Sequence, residues 1–293
     1  SNLEALDHLD RAIKIDPKFG AALAVKAQIL LWFGLTSADT EVAQSYFRKA
    51  LESAEEVVRI SPGMPNAHST LGYVRLTAKL DIVGAKIPFE RSREAGYGDA
   101  IILARYATYM AVTGRDREAV SAINQAITLD PLNPTIHRTD GLVHYAARRF
   151  DKAIIATQRV LDINPHHSNA KARVGLSNIY LGNIEKGLET CETENNQMER
   201  LPCLAIGHNA LNNRMEAEAA MNQLIESFGN AGAYQQVQVL AQWGRLDEAM
   251  AMMAKALRLG DSGLAWSFID PALDPLRGRQ DFTDIIDKLG FTN

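Results

Sequence analysis

The chain has 293 residues, of which 46% are hydrophobic and 23% charged, and its formal net charge is −4. That balance suits a folded protein and excludes general disorder. The mild acidity gives no electrostatic footprint for nucleic acid or an anionic membrane, and no apolar run approaches the roughly 18 residues of a membrane span.

The predicted elements begin after Ser1-Asn2, which reads as a cloning remnant. The first is a helix with Ala5, Leu9 and Ala12 at helical spacing, stopped by Asp16-Pro17. Its flank of Leu6, Leu9 and Ile13 needs cover. The same phrase returns at Ala119, Ile123, Ala126 and Asp130-Pro131, and again at Ala153, Thr157, Val160 and Asn164-Pro165. Aligning the residue that opens each phrase gives Ala5, Ala50, Ala85, Ala119, Ala153, Gly187, Ala217 and Ala249, with intervals of 45, 35, 34, 34, 34, 30 and 32. Each unit reads as two helices, such as 100–112 with 117–128, or 135–147 with 151–163. A breaker stands between the two: Gly34, Gly114, Gly182, Asn212 or Gly244. Small residues let the helices approach, and the larger one between them fills the groove. Sustained alternation of the strand type is missing, so the whole chain reads as helical.

Four departures carry expectations. About ten extra residues between Gly34 and Ala50 predict longer helices or an inserted segment near 35–49. Pro88 falls inside a second helix and predicts a kink there. The first unit lacks its opening helix, which predicts an artificial boundary or pairing with a second copy. Beyond residue 260, Asp270-Pro271 and Asp274-Pro275 break the tail into a short helix and a final one, Phe282 to Leu289, packed back over the last unit.

The spacing near 34, with the turns Gly114-Arg115-Asp116-Arg117-Glu118-Ala119 and Arg149-Phe150-Asp151-Lys152-Ala153, resembles the tetratricopeptide repeat (TPR). The resemblance implies an all-α, right-handed superhelical solenoid of about seven to eight helix pairs over residues 1–260, with a helical capping extension over 261–293. The segments Leu80 to Ser92, Asp270 to Arg277, Asp281-Phe282 and Leu289-Gly290-Phe291 resemble the C-terminal regions of bacterial signalling proteins. In those, TPR units follow an adenylate cyclase, a winged-helix transcriptional regulator or a kinase. This implies a non-catalytic regulatory arm, read first as that of an adenylate cyclase and alternatively as that of a winged-helix transcriptional regulator.

No glycine-rich phosphate loop is present, so no catalytic residue, cofactor or metal is expected. His166-His167 falls in a loop, and His137 and His144 are seven apart, too far for a helical chelate. Cys191 and Cys203 match no C-x-x-C pattern and are expected as free thiols of a cytoplasmic protein. Arg105, Arg138 and Arg173 fall near the same position of successive first helices. They are the candidate concave-groove contacts for a peptide carboxylate, with Tyr109 and Tyr145 as partly exposed aromatic neighbours. The Lys/Asn set of chaperone-tail clamps is absent. Expected partners are a protein, a peptide or an attached effector domain, with neither nucleic acid nor membrane. The alternatives are a homodimerisation module and a small-ligand sensor using the arginines.

Overall fold

A computed structural model describes residues 2–291, so Ser1 of the presumed remnant lies outside the described residues. Helix α1 (Asn2–Ile15) precedes seven antiparallel pairs. These are α2 (Gly20–Thr36) with α3 (Thr40–Ile60), α4 (Pro65–Ala78) with α5 (Ile82–Ala95), α6 (Ala100–Val112) with α7 (Asp116–Leu129), and α8 (Pro134–Ala146) with α9 (Phe150–Ile163). Then come α10 (Ala170–Tyr180) with α11 (Ile184–Glu192), α12 (Gln197–Ala210) with α13 (Arg214–Phe228), and α14 (Ala233–Gln242) with α15 (Leu246–Leu259). A tail of two 3₁₀ segments, Ser262–Trp266 and Pro271–Leu276, leads to α16 (Gln280–Leu289). No strand occurs among the described residues, and none of their helices is long and apolar enough to cross a membrane.

The repeat phrase becomes the seam of each pair. Ala50, Ala85, Ala119, Ala153 and Ala249 have no exposed surface, which permits close helix approach. Most turns within a pair use a left-handed residue: Gly114, Gly182 and Gly244 at φ of 72°, 86° and 73°, Asn212 at 60°. Arg148 and Leu80 take this geometry without being glycine, at φ of 56° and 53°. Gly34 does not. Helix α2 continues through it, and a Cβ there would lie 2.3 Å from the Phe47 ring, so the glycine serves close packing rather than a turn. The extra residues of this unit lengthen α2 and α3 to 17 and 21 residues, and Asp39 caps α3 by accepting from Glu41 N at 2.8 Å.

Pro88 sits inside an unbroken α5. Lacking an N–H, it cannot bond the Gly84 carbonyl one turn back. Arg75 Nη1, from the partner helix α4, donates to that carbonyl at 3.1 Å instead.

Two further expectations are corrected. Cys191 and Cys203 are not free thiols; they form a disulfide with Cα atoms 5.9 Å apart. Twelve residues of separation place one on α11 and the other on α12, where packing of neighbouring pairs brings them together. The tail forms two 3₁₀ turns rather than one short helix, and it reaches well beyond the last pair. Leu264, Ala265, Leu273 and Leu276 are fully buried. Arg148, at the α8–α9 turn, pairs with Asp274 and donates Nη1 to Ile269 O at 2.9 Å. A Cβ on Gly114 would lie 2.9 Å from Phe268, and one on Gly290 would lie 2.8 Å from Val83 of α5.

Candidate functional site

The superhelix curves until its two ends touch. Gln44 of α3 donates Nε2 to Leu259 O at 3.3 Å and to Gly260 O at 3.1 Å. This clasp, the first helices of the pairs and the 3₁₀ tail together line a central, partly open chamber of about 810 Å³.

Arg105, Arg138, Arg173 and Tyr145 all line it, from α6, α8 and α10. The Arg105 guanidinium reaches only the hydroxyls of Ser69 and Thr70, both at 3.4 Å, and sits 5.8 Å from the Tyr73 ring centre. Burial pulls its pKa below the usual arginine value, since no carboxylate lies within ion-pair distance among the described residues. Arg138 is half-buried and makes no hydrogen bond, ion pair or ring contact with the described residues. Arg173 lies 4.7 Å from the centre of the Tyr145 ring, a cation–π contact. Tyr145 is only 6% exposed, and burial raises its pKa above the ordinary tyrosine value.

Tyr109 is not on the chamber wall. It is 3% exposed, stacks on Phe89 at 4.9 Å and donates its hydroxyl to Ile82 O at 3.2 Å. Position along a first helix does not by itself settle which face a residue presents. Four residues place Tyr109 about one turn beyond Arg105 on nearly the same helix face, yet at that level its ring packs on Phe89 and its hydroxyl reaches Ile82 O of α5. The expectation of a partly exposed aromatic pair is therefore corrected at both tyrosines, although Tyr145 keeps its place on the wall. His137, like its counterpart His68, bonds the carbonyl of a proline six residues earlier, at 2.7 and 2.8 Å, which is a structural role. No His, Cys, Asp and Glu grouping suited to a metal occurs among the described residues.

The chamber also holds groups that the sequence did not single out. Asp270 accepts from Tyr234 Oη at 2.8 Å and Gln238 Nε2 at 2.6 Å. Asp261 accepts from Tyr234 N and Gly263 N, yet burial still pushes its pKa up to about 6. Burial also raises the Glu199 carboxyl, against the pull of Arg173. Gln235 Oε1 is buried and accepts no hydrogen bond. Asp270-Pro271 was visible as a helix break, but nothing local indicates that the break faces the chamber.

A tetratricopeptide-repeat family profile matches residues 112–168, the stretch from the last residue of α6 through α9 and most of the α9–α10 loop. Solved structures of repeat proteins extend the likeness over most of the chain. PilW, a widely conserved type IV pilus biogenesis factor, is 17% identical with a TM-score of 0.56, covering 70% of this chain and 93% of its own. The chain folds as a tetratricopeptide-repeat solenoid. A tetratricopeptide repeat protein from Parabacteroides merdae is 14% identical with a TM-score of 0.56, over 86% of this chain and 99% of that one. The human IFIT1 dimer with m7Gppp-AAAA is 14% identical with a TM-score of 0.62, over 88% of this solenoid and 67% of IFIT1. No curated protein sequence matches the chain.

Proposed function

We propose that this solenoid is a non-catalytic protein-interaction arm of a bacterial signalling protein, holding an acidic segment of a partner or of an attached domain. The observation that carries the reading is the placement of Arg105, Arg138 and Arg173 on three successive pairs, all facing one concave chamber. Guanidinium forks suit carboxylates, and presenting them from separate pairs sets a spacing that a partner must match. The attached effector is best read as an adenylate cyclase, with a winged-helix regulator second. This rests on the resemblance of Asp270 to Arg277 and of the closing Leu289-Gly290-Phe291 to such proteins.

Fluorescence polarisation with labelled glutamate-rich and lysine-rich peptides tests the interaction. Saturable binding of the acidic peptide alone, weakened about tenfold in an Arg138→Gln/Arg173→Gln double variant, supports it. Equal binding of both peptides, or indifference to the double variant, removes it. A net charge of −4 still argues against nucleic acid as the main partner. Because IFIT1 was solved with m7Gppp-AAAA, an RNA oligonucleotide belongs in the same titration as a competitor.

A second reading is self-association. Helix α1 buries no residue completely, and Leu3, Ile15 and Phe19 are exposed on and beside it. Sedimentation at micromolar concentration decides this: a strict monomer eliminates it. The cytoplasmic assignment now stands against the disulfide, which favours an oxidising compartment. Alkylation of the two cysteines in intact cells distinguishes these locations.

A further inference from the structure

The chamber differs from an open repeat groove in two ways. The Gln44 clasp joins the two ends of the array, and the 3₁₀ tail occupies part of the interior. What remains, about 810 Å³, lies within the roughly 300–1,000 Å³ of small-molecule sites. Its wall carries Glu199, Asp261 and Asp270 as well as the three arginines, yet Arg105 and Arg138 are not ion-paired with any of these carboxylates. Arg105 has two hydroxyls at 3.4 Å and the Tyr73 ring at 5.8 Å but no carboxylate, and Arg138 has no partner among the described residues. A guanidinium withdrawn from water without a carboxylate destabilises the fold, so keeping it there needs a compensating interaction. Gln235 Oε1 is a buried acceptor with no donor, and the Glu199 side chain, near Arg173, makes no hydrogen bond among the described residues. Trp32 and Trp266 supply apolar surface on the same wall.

We propose that the chamber binds a small organic anion. Its carboxylate or phosphate is held by Arg105 and Arg138, its hydrogen-bond donor meets Gln235 and Glu199, and its body packs against Trp32 and Trp266. This goes beyond the interaction reading above, since it assigns a ligand of a different class. Loss of acidic-peptide binding leaves it standing, and its own failure leaves that reading standing.

The test uses the full chain with citrate, inorganic phosphate and AMP as probes, each against sodium chloride of equal ionic strength. Thermal melting, tryptophan fluorescence and calorimetry are followed. The expected result is a saturable rise in Tm and a fluorescence change at one site per chain with at least one probe. In Arg138→Gln the affinity falls at least tenfold, and in Arg214→Gln, on the exposed surface of α13, it is unchanged. A response to citrate alone assigns a carboxylate, and one to both phosphate and AMP assigns a phosphate. Absence of saturation with all three probes overturns the proposal. So does an equal response of the Arg138 and Arg214 variants, which marks an adventitious ion only. Arg105→Met separates ligand binding from structure: the ligand-free variant is expected to melt at or above the wild type while losing the probe response. A lower Tm with the response intact shows Arg105 to be structural and overturns its role.

Discussion

Single residues set how closely the pairs approach. A Cβ on Gly175 of α10 would lie 2.4 Å from Cys191 Sγ and 2.9 Å from Gly187 O, and a backbone carbonyl cannot swing away as a side-chain tip can. Gly175→Ala is therefore expected to destabilise the chain by about 1–3 kcal/mol, read from the urea midpoint. Gly63→Ala, with nothing within 4 Å, leaves the midpoint nearly unchanged. Charge on the chamber wall has a pH signature. Burial raises the Asp261 pKa from its ordinary 3.8 to about 6, so the folded state binds its proton more tightly than the unfolded chain. Its contribution is complete below about pH 3.8 and is lost as pH rises through about 6. Melting curves from pH 4 to 7 should show that component declining in the wild type and missing in Asp261→Asn. A component that strengthens toward pH 7, and vanishes in the variant, contradicts this assignment.

At the scale of elements, two irregular positions are each tied to a side-chain contact outside their own helix. Pro88 removes a hydrogen bond from α5, and Arg75 of α4 bonds the freed Gly84 carbonyl. Arg75→Met is expected to cost about 1–2 kcal/mol by leaving a partly buried carbonyl unpaired. In a Pro88→Ala background the same change should cost measurably less, because alanine restores the donor. A double-mutant cycle with no coupling would reject the compensation. Arg148 accepts a left-handed backbone, at φ 56°, where related turns use glycine, and its guanidinium ties the tail through Asp274 and Ile269 O. Arg148→Gly relieves the backbone strain but releases that anchor. Limited trypsin digestion should then cut near Arg277 and Arg279 several-fold faster than in the wild type. An unchanged cleavage rate would mean that the buried leucines alone hold the tail.

For the whole molecule, stability accumulates between neighbouring pairs, and the disulfide joins two of them covalently. Reduction, or Cys191→Ser with Cys203→Ser, is expected to remove about 3 kcal/mol, measured in denaturant with the oxidation state checked by mass spectrometry. The helix pairs themselves were legible in the sequence. Ala119 to Pro131 and Ala153 to Pro165 carry small residues at helical spacing and a closing proline, and local spacing is enough to specify a helix and its partner. Arg105, Arg138 and Arg173 were legible as a row for the same reason, since equivalent positions of equal repeats face the same way. Tyr109 was misread, because four residues along the same helix the wall gives way to the α5 seam. The disulfide, the path of the tail and the meeting of the two ends were decided by tertiary structure alone. Small rotations from pair to pair add up until Gln44 meets Leu259, 215 residues away. That sum depends on every interface in the array, and no local motif records it.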